Sequence, residues 1–134
     1  MEFCTADNTD YFGFDSIVLH KCKIVDVYDG DTCTCVLQYP DSKKFFKWKV
    51  RLMGYNAPEL KPLLKTPNRD EIINQAKILR DDLKLLTHNK ILYLKFYGFD
   101  KYGRILGKLY YLENDTKSIN EIFQSKHNLS DYLK

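Results

Sequence analysis

No stretch of this chain is apolar for long enough to span a bilayer. Its first residues, Met1-Glu2-Phe3-Cys4-Thr5-Ala6-Asp7, carry no apolar leader core. There is no internal repeat and no low-complexity segment. Charge of one sign is not in large excess, since the formal net charge of +3 is well short of a dedicated nucleic-acid-binding tail. Cysteine is sparse, with Cys4, Cys22, Cys33 and Cys35 only. Cys33 and Cys35 lie two apart in a strand-like run, a spacing that suits neither an easy disulfide nor a zinc knuckle. These features set aside membrane, repeat, disulfide-framework and zinc-finger classes. The expectation is an intracellular protein, cytoplasmic or in another internal compartment, monomeric, with no membrane partner and with reduced, buried thiols.

What is present is a chain of 134 residues, 44% apolar and 29% charged, enough for a single core. Aromatics are abundant at 14%, with ten Tyr and eight Phe. Positive charge is uneven. Residues 41–65 hold seven Lys or Arg (Lys43, Lys44, Lys47, Lys49, Arg51, Lys61, Lys65) against Asp41 and Glu59 alone.

The pattern predicts an N-terminal arm over 1–16, packed by Tyr11, Phe12 and Phe14, and a single domain over 17–134. A strand is expected at 17–28. Asp29-Gly30 then turns the chain into a hairpin partner at 32–38, with Cys33, Cys35 and Leu37 on one face. A third strand at 44–53 puts Phe46, Trp48, Val50 and Leu52 on one face and Lys47, Lys49 and Arg51 on the other. Asn68 and Glu71 read as a capping box that opens a helix of about five turns. The helix buries Ile72, Ala76, Leu79, Leu83 and Leu86, and Asn89 closes it. Strands follow at 91–97 and 105–112, then a short helix at 118–126 and a polar end from 128 that frays. Trp48, Val50, Leu52, Leu79 and Leu83 are the expected core. Five short strands, with a helix after the third and another at the end, predict an α+β fold built on a small OB-type Greek-key barrel.

Three polar segments sit beside apolar strands: Asp29-Gly30-Asp31-Thr32, then Arg51-Leu52-Met53-Gly54-Tyr55-Asn56-Ala57-Pro58-Glu59, then Asp100-Lys101-Tyr102-Gly103-Arg104. Together they offer guanidinium, carboxylate and amide groups suited to a metal ion and a phosphodiester. Each residue also has a plain structural reading. Asp29 and Asp31 could serve the turn, Glu59 could accept backbone N–H groups, Arg104 could pair with Asp100, and Lys47 and Lys49 could solvate a half-buried strand.

In this order and spacing the segments resemble the staphylococcal nuclease (thermonuclease-like) family, over roughly residues 20–126. Asn120-Glu121 after Ile119 is similar to that family's weaker final motif. The resemblance implies an OB barrel and a Ca²⁺-dependent nuclease cleaving DNA, RNA or both, in single-stranded or frayed form. It assigns Arg51 and Arg104 to the phosphate and Glu59 to the attacking water as general base. Asp31, Asn56 and the backbone carbonyl of Ala57 fall to the metal, Ca²⁺ or another hard divalent cation. Lys101 and Tyr102 match positions near the bound nucleotide, and Lys47 and Lys49 are added as phosphate contacts. The chain departs from the family where Asn56 replaces a customary Asp, which leaves an uncharged ligand, and where Ala57 stands in place of a common Thr. The alternative is a nuclease-fold module that binds nucleic acid and has lost turnover, as in Tudor-containing family members. A protein-binding OB domain would give no reason to keep Arg51, Glu59 and Arg104 together. His20, His88 and His127 match no role.

Overall fold

The structure is a computed structural model, and it describes residues 1–9, 19–38 and 41–132. The expected arm residues Tyr11, Phe12 and Phe14, and the first residues of the predicted opening strand, lie outside the described residues.

Among the described residues nine elements follow in order: β1 (His20–Asp29), β2 (Thr32–Gln38), β3 (Phe45–Leu52), β4 (Gly54–Tyr55), α1 (Arg69–Thr87), β5 (Ile91–Phe99), β6 (Ile105–Tyr110), α2 (Ile119–His127) and β7 (Asp131–Tyr132). The five long strands close into a barrel in the order β1-β2-β3-β6-β5. All pairs are antiparallel except β3–β6, which is parallel. This is the expected α+β, OB-like barrel, with α1 inserted between the third and fourth barrel strands.

Strand alternation explains the core. Cys33, Cys35 and Leu37 of β2, Leu92, Leu94 and Phe96 of β5, and Val50 and Leu52 of β3 all point inward. Leu79 and Leu83 of α1 and Phe123 of α2 complete the interior. Cys22, Cys33 and Cys35 are buried and reduced, whereas Cys4 is exposed, contrary to the expectation for it. Burial, above all, pushes the Cys33 thiol far up. A hydrogen bond with Cys22 and then burial do the same to Cys35, so neither is a ready nucleophile.

Trp48 departs from expectation. It is only partly buried, and Phe46 on the same face is 45% exposed. The pairing accounts for this. The whole of β3 pairs with β2, but β6 joins it only at Val50, Arg51 and Leu52. The first half of β3 therefore projects past the closed part of the barrel, and its inner face is covered on one side only. Trp48 packs there against Phe99, with ring centroids 6.0 Å apart.

The helix starts also differ from each other. Asn68 is the N-cap of α1, but it is left-handed (φ 54°) and makes no side-chain cap bond. A capping side chain needs extended backbone at that position, so the predicted box does not form. Asp70 and Glu71 still place negative charge in the first turn. Ser118 does cap α2, accepting from Glu121 N–H at 3.1 Å. The polar end does not fray where described, because β7 pairs with β4 through Gly54↔Tyr132 and Tyr55↔Asp131.

Candidate active site

At one end of the barrel the β1–β2 turn, the end of β3 with the segment after it, and the β5–β6 turn converge. They line a polar cavity of about 410 Å³ with Asp29, Asp31, Thr32, Arg51, Asn56, Ala57, Glu59 and Arg104. Three segments far apart in sequence thus deliver their polar residues to one place.

The β1–β2 turn is held by its own carboxylates. Asp31 N–H donates to Asp29 Oδ1 at 3.0 Å, the short-range bond that makes Asp a turn residue. Asp31 is itself buried; its Oδ2 accepts from Ala57 N–H at 2.8 Å and its Oδ1 accepts from Thr32 Oγ1 at 3.1 Å. Gly30 between them allows this approach, since a Cβ there would stand 2.7 Å from Ala57 Cβ and 3.2 Å from Leu79 Cβ. Burial, followed by the neighbouring Asp31 charge, pushes the Asp29 carboxyl up to about 7.

Arg51 is 8% exposed. Its Nη1 donates to the carbonyls of Leu52 and Tyr55, and its Nη2 to Asn56 Oδ1. Nη2 also stands 3.4 Å from Asp31 Oδ2. The guanidinium therefore folds the 52–56 turn around itself while lining the cavity. Gly54, at φ 104°, supplies the backbone conformation which that turn requires. Two further bonds fix the turn to the barrel. Tyr55 Oη donates to the Gly30 carbonyl at 2.7 Å, and Asn120 Nδ2 donates to the carbonyls of Met53 (2.9 Å) and Gly107 (3.0 Å). Asn120 Oδ1 in turn accepts Leu109 N–H, so this buried amide ties α2 to β6 and to the turn beyond Arg51. The Asn-Glu pair near the end of the chain thus has a structural task at the site.

On the third side, Arg104 Nε donates to Asp100 Oδ2 at 2.6 Å and Nη1 reaches Thr32 Oγ1 at 3.5 Å. Its guanidinium carbon lies 5.4 Å from the ring centroid of Tyr102, which is 71% exposed. Lys101 Nζ lies 5.2 Å from the same ring. Glu59 is exposed on the cavity wall and makes no hydrogen bond or ion pair among the described residues.

The predicted residues Asp31, Arg51, Asn56, Ala57, Glu59 and Arg104 are therefore brought together. Lys101 and Tyr102 stand beside Arg104 but do not line the cavity. Lys49 lines the neighbouring groove, together with Arg104 and Thr32. Lys47, exposed and paired with Val36, lies a further step along β3, away from the cavity. Sequence alone assigns Asp29 only a turn role and leaves Thr32 without one, whereas the pairing of Arg104 with Asp100 that it offers as a structural reading is formed. The two-residue spacing of Asp29 and Asp31 signals a turn; the crowding of the two carboxylates follows from their burial together, which the spacing does not report.

The donors at this end are all oxygen, from Asp29, Asp31, Asn56 and Glu59, a set that suits a hard divalent cation. Among the described residues no group of three or more His, Cys, Asp or Glu is close enough to hold a metal ion. Asp29 and Asp31 are the crowded pair, and their mutual repulsion is what a cation would relieve. Such an ion would keep water in much of its shell. Asn56 Oδ1 is turned to Arg51, and Ala57 contacts Asp31 through its N–H.

A barrel of this topology, with a carboxylate and arginine cavity at the mouth formed by its first hairpin and its last inter-strand turn, is the frame of an OB-like nuclease fold. The family model of the staphylococcal nuclease homologues matches residues 49–126, more than half of the chain, and the chain belongs to that family. A search of curated proteins returns no match. Arg51, Glu59 and Arg104 fall inside the matched stretch. Asp29 and Asp31 precede it and join the site through the geometry described above.

Proposed function

We propose that the chain is a metal-dependent nuclease that hydrolyses phosphodiester bonds of DNA, RNA or both. The observation that carries this reading is the meeting of Glu59 with Arg51 and Arg104 around one polar cavity that also holds Asp29 and Asp31. A phosphodiester carries one negative charge and gains another as water adds. Two guanidinium groups on one wall offset that charge where it develops. Arg104 is oriented for this by Asp100, and Arg51 by the turn carbonyls and Asn56.

Glu59, with no partner to hold its oxygens, takes the proton of the attacking water. The new bond runs from the water oxygen to phosphorus and the bond to the leaving ester oxygen breaks, with solvent protonating that oxygen. Asp29 and Asp31 would hold a Ca²⁺ or similar ion, assisted by the amide of Asn56 or the carbonyl of Ala57, and such an ion would supply polarisation of the phosphoryl oxygens. Lys101 and Tyr102 flank Arg104 and contact the nucleotide on that side, while Lys47 contributes long-range attraction.

The test is incubation of purified protein with single-stranded DNA and with RNA in Ca²⁺, Mg²⁺, Mn²⁺ or EDTA. Cleavage that EDTA abolishes and one of the ions restores is the expected result. Binding without cleavage in every ion would overturn the catalytic reading and leave a nucleic-acid-binding module.

A further inference from the structure

Beside the cavity lies a second groove, of about 300 Å³, lined by Asp26, Tyr28, Thr32, Thr34, Lys49 and Arg104. It shares Thr32 and Arg104 with the cavity, so the two are continuous. Strand register explains its composition. Asp26 pairs with Thr34, and Thr34 pairs with Lys49, so one row crosses the outer face of β1, β2 and β3. The next row toward the site holds Thr32 opposite Arg51. Tyr28, two residues from Asp26 on β1, borders both rows and leaves 52% of its surface exposed. Two strand spacings separate β1 from β3, about 10 Å.

We propose that this groove holds the nucleotide unit next to the scissile phosphodiester, with its base stacked on Tyr28 and its outer phosphate at Lys49. The inference rests on the nuclease reading and deepens it, by giving the substrate a second recognised unit beside the cavity. The charge layout gives the unit a direction. Lys49 and Arg104 stand at the β3–β6 side, where a phosphate is favoured. Asp26 stands at the β1 side, where a phosphate is repelled but a base edge with N–H donors is accepted. Its Oδ1 already takes Val27 N–H at 3.0 Å, which fixes the carboxylate in place. An exposed tyrosine ring and a lysine lining one groove are the combination that single strands use, since every base has a face to stack and every unit has a charge to neutralise. The outer face of the second and third strands, bounded by the first and last inter-strand turns, is also where OB barrels receive oligomeric ligands. A base held in a duplex cannot reach the ring without leaving its stack, so the groove selects single strands.

The experiment compares two substrates in wild type, Tyr28→Ala, Tyr28→Phe and Lys49→Ala. One is a single-stranded octanucleotide, and the other a mononucleoside nitrophenyl phosphodiester with nothing to fill the groove. For Tyr28→Ala the ratio of kcat/KM for octamer to small diester falls about 5- to 100-fold, the scale of one lost base stack. Tyr28→Phe keeps the wild-type ratio, because the ring remains. Lys49→Ala lowers octamer affinity and reduces its salt slope by about one. Unchanged ratios and octamer affinities in Tyr28→Ala and Lys49→Ala, with wild-type cleavage of both substrates, would overturn the groove and leave the nuclease standing. Failure of wild type to cleave or bind either substrate would overturn both.

Discussion

Asp100 grips Arg104 twice, accepting its side-chain Nε on Oδ2 at 2.6 Å and its backbone N–H on Oδ1 at 2.9 Å. The same Oδ1 takes Tyr102 N–H at 2.9 Å, and Gly103 completes the turn at φ 78°. One carboxylate therefore sets both the shape of the β5–β6 turn and the aim of the arginine it carries. Asp100→Asn offers one acceptor oxygen in place of two. It should lower stability by about 1–2 kcal/mol, toward the low end because the Arg104 side chain is 27% exposed. Urea midpoints measure this. The same variant should slow cleavage in the wild-type background and add little to Arg104→Ala, since its effect runs through that arginine.

Stability should fall in acid below about pH 4 for a related reason. Burial alone would raise the Asp82 and Asp100 carboxyls, but hydrogen bonds outweigh it and hold both below the ordinary 3.8. His127 and Lys126 supply those bonds to Asp82, at 2.6 and 3.0 Å; the backbone and side chain of Arg104, with Tyr102 N–H, supply them to Asp100. A carboxyl with a depressed folded value gives its stabilisation in full above the unfolded value and loses it as pH falls through the folded one. Thermal midpoints should drop below about pH 4, and Asp82→Asn should flatten part of that drop; between about pH 7 and 4 the raised Asp29 carboxyl acts in the opposite sense, since its proton is held more tightly in the folded state. A midpoint independent of pH between 5 and 2 would contradict the assignment.

Gly30→Ala tests the close approach at the first turn. The added methyl meets Ala57 Cβ and Leu79 Cβ, which are fixed to backbone and cannot swing aside. Overpacking of this kind costs about 1–3 kcal/mol. Because Ala57 N–H holds Asp31, the displacement also disturbs the carboxylate. The variant should lose activity beyond what its fraction folded explains, measured by activity per folded molecule.

The barrel was legible because its evidence is local: two-residue alternation in β2, β3 and β5 and the apolar stripe of α1. What escaped depends on partners distant in sequence. Trp48 alternates as an interior residue, but only the short reach of β6 along β3 decides that it is partly exposed. Asn68 has the chemistry of a helix cap, and its left-handed backbone removes the effect. Strands β4 and β7 are two residues each and exist only because the chain's end meets the turn after Arg51. At the site, motif spacing singles out Asp31, Arg51, Glu59 and Arg104, which line one cavity. Asp29 looked like a turn residue because it is one; its second aspect follows from burial beside Asp31, which no spacing reports.

Asn56 stands where the resemblance leads one to expect Asp, and its amide oxygen accepts from Arg51. Asn56→Asp adds a carboxylate at the cavity and should lower the Ca²⁺ concentration needed for half-maximal cleavage, as ligand charge tunes such sites. A rise in that concentration would mean that the new carboxylate serves Arg51 alone and that position 56 is no metal ligand.

Glu59→Gln is the most direct measurement of the central claim. The substitution keeps the size of the side chain and removes its capacity to take a proton. Single-turnover cleavage of a single-stranded oligonucleotide should fall about 10²- to 10⁴-fold, the range of a lost general base. Affinity for the same oligonucleotide, measured in parallel by fluorescence anisotropy, should stay at the wild-type value or tighten. Cleavage by Glu59→Gln at the wild-type rate would contradict the account, because the proposed general base would then be dispensable.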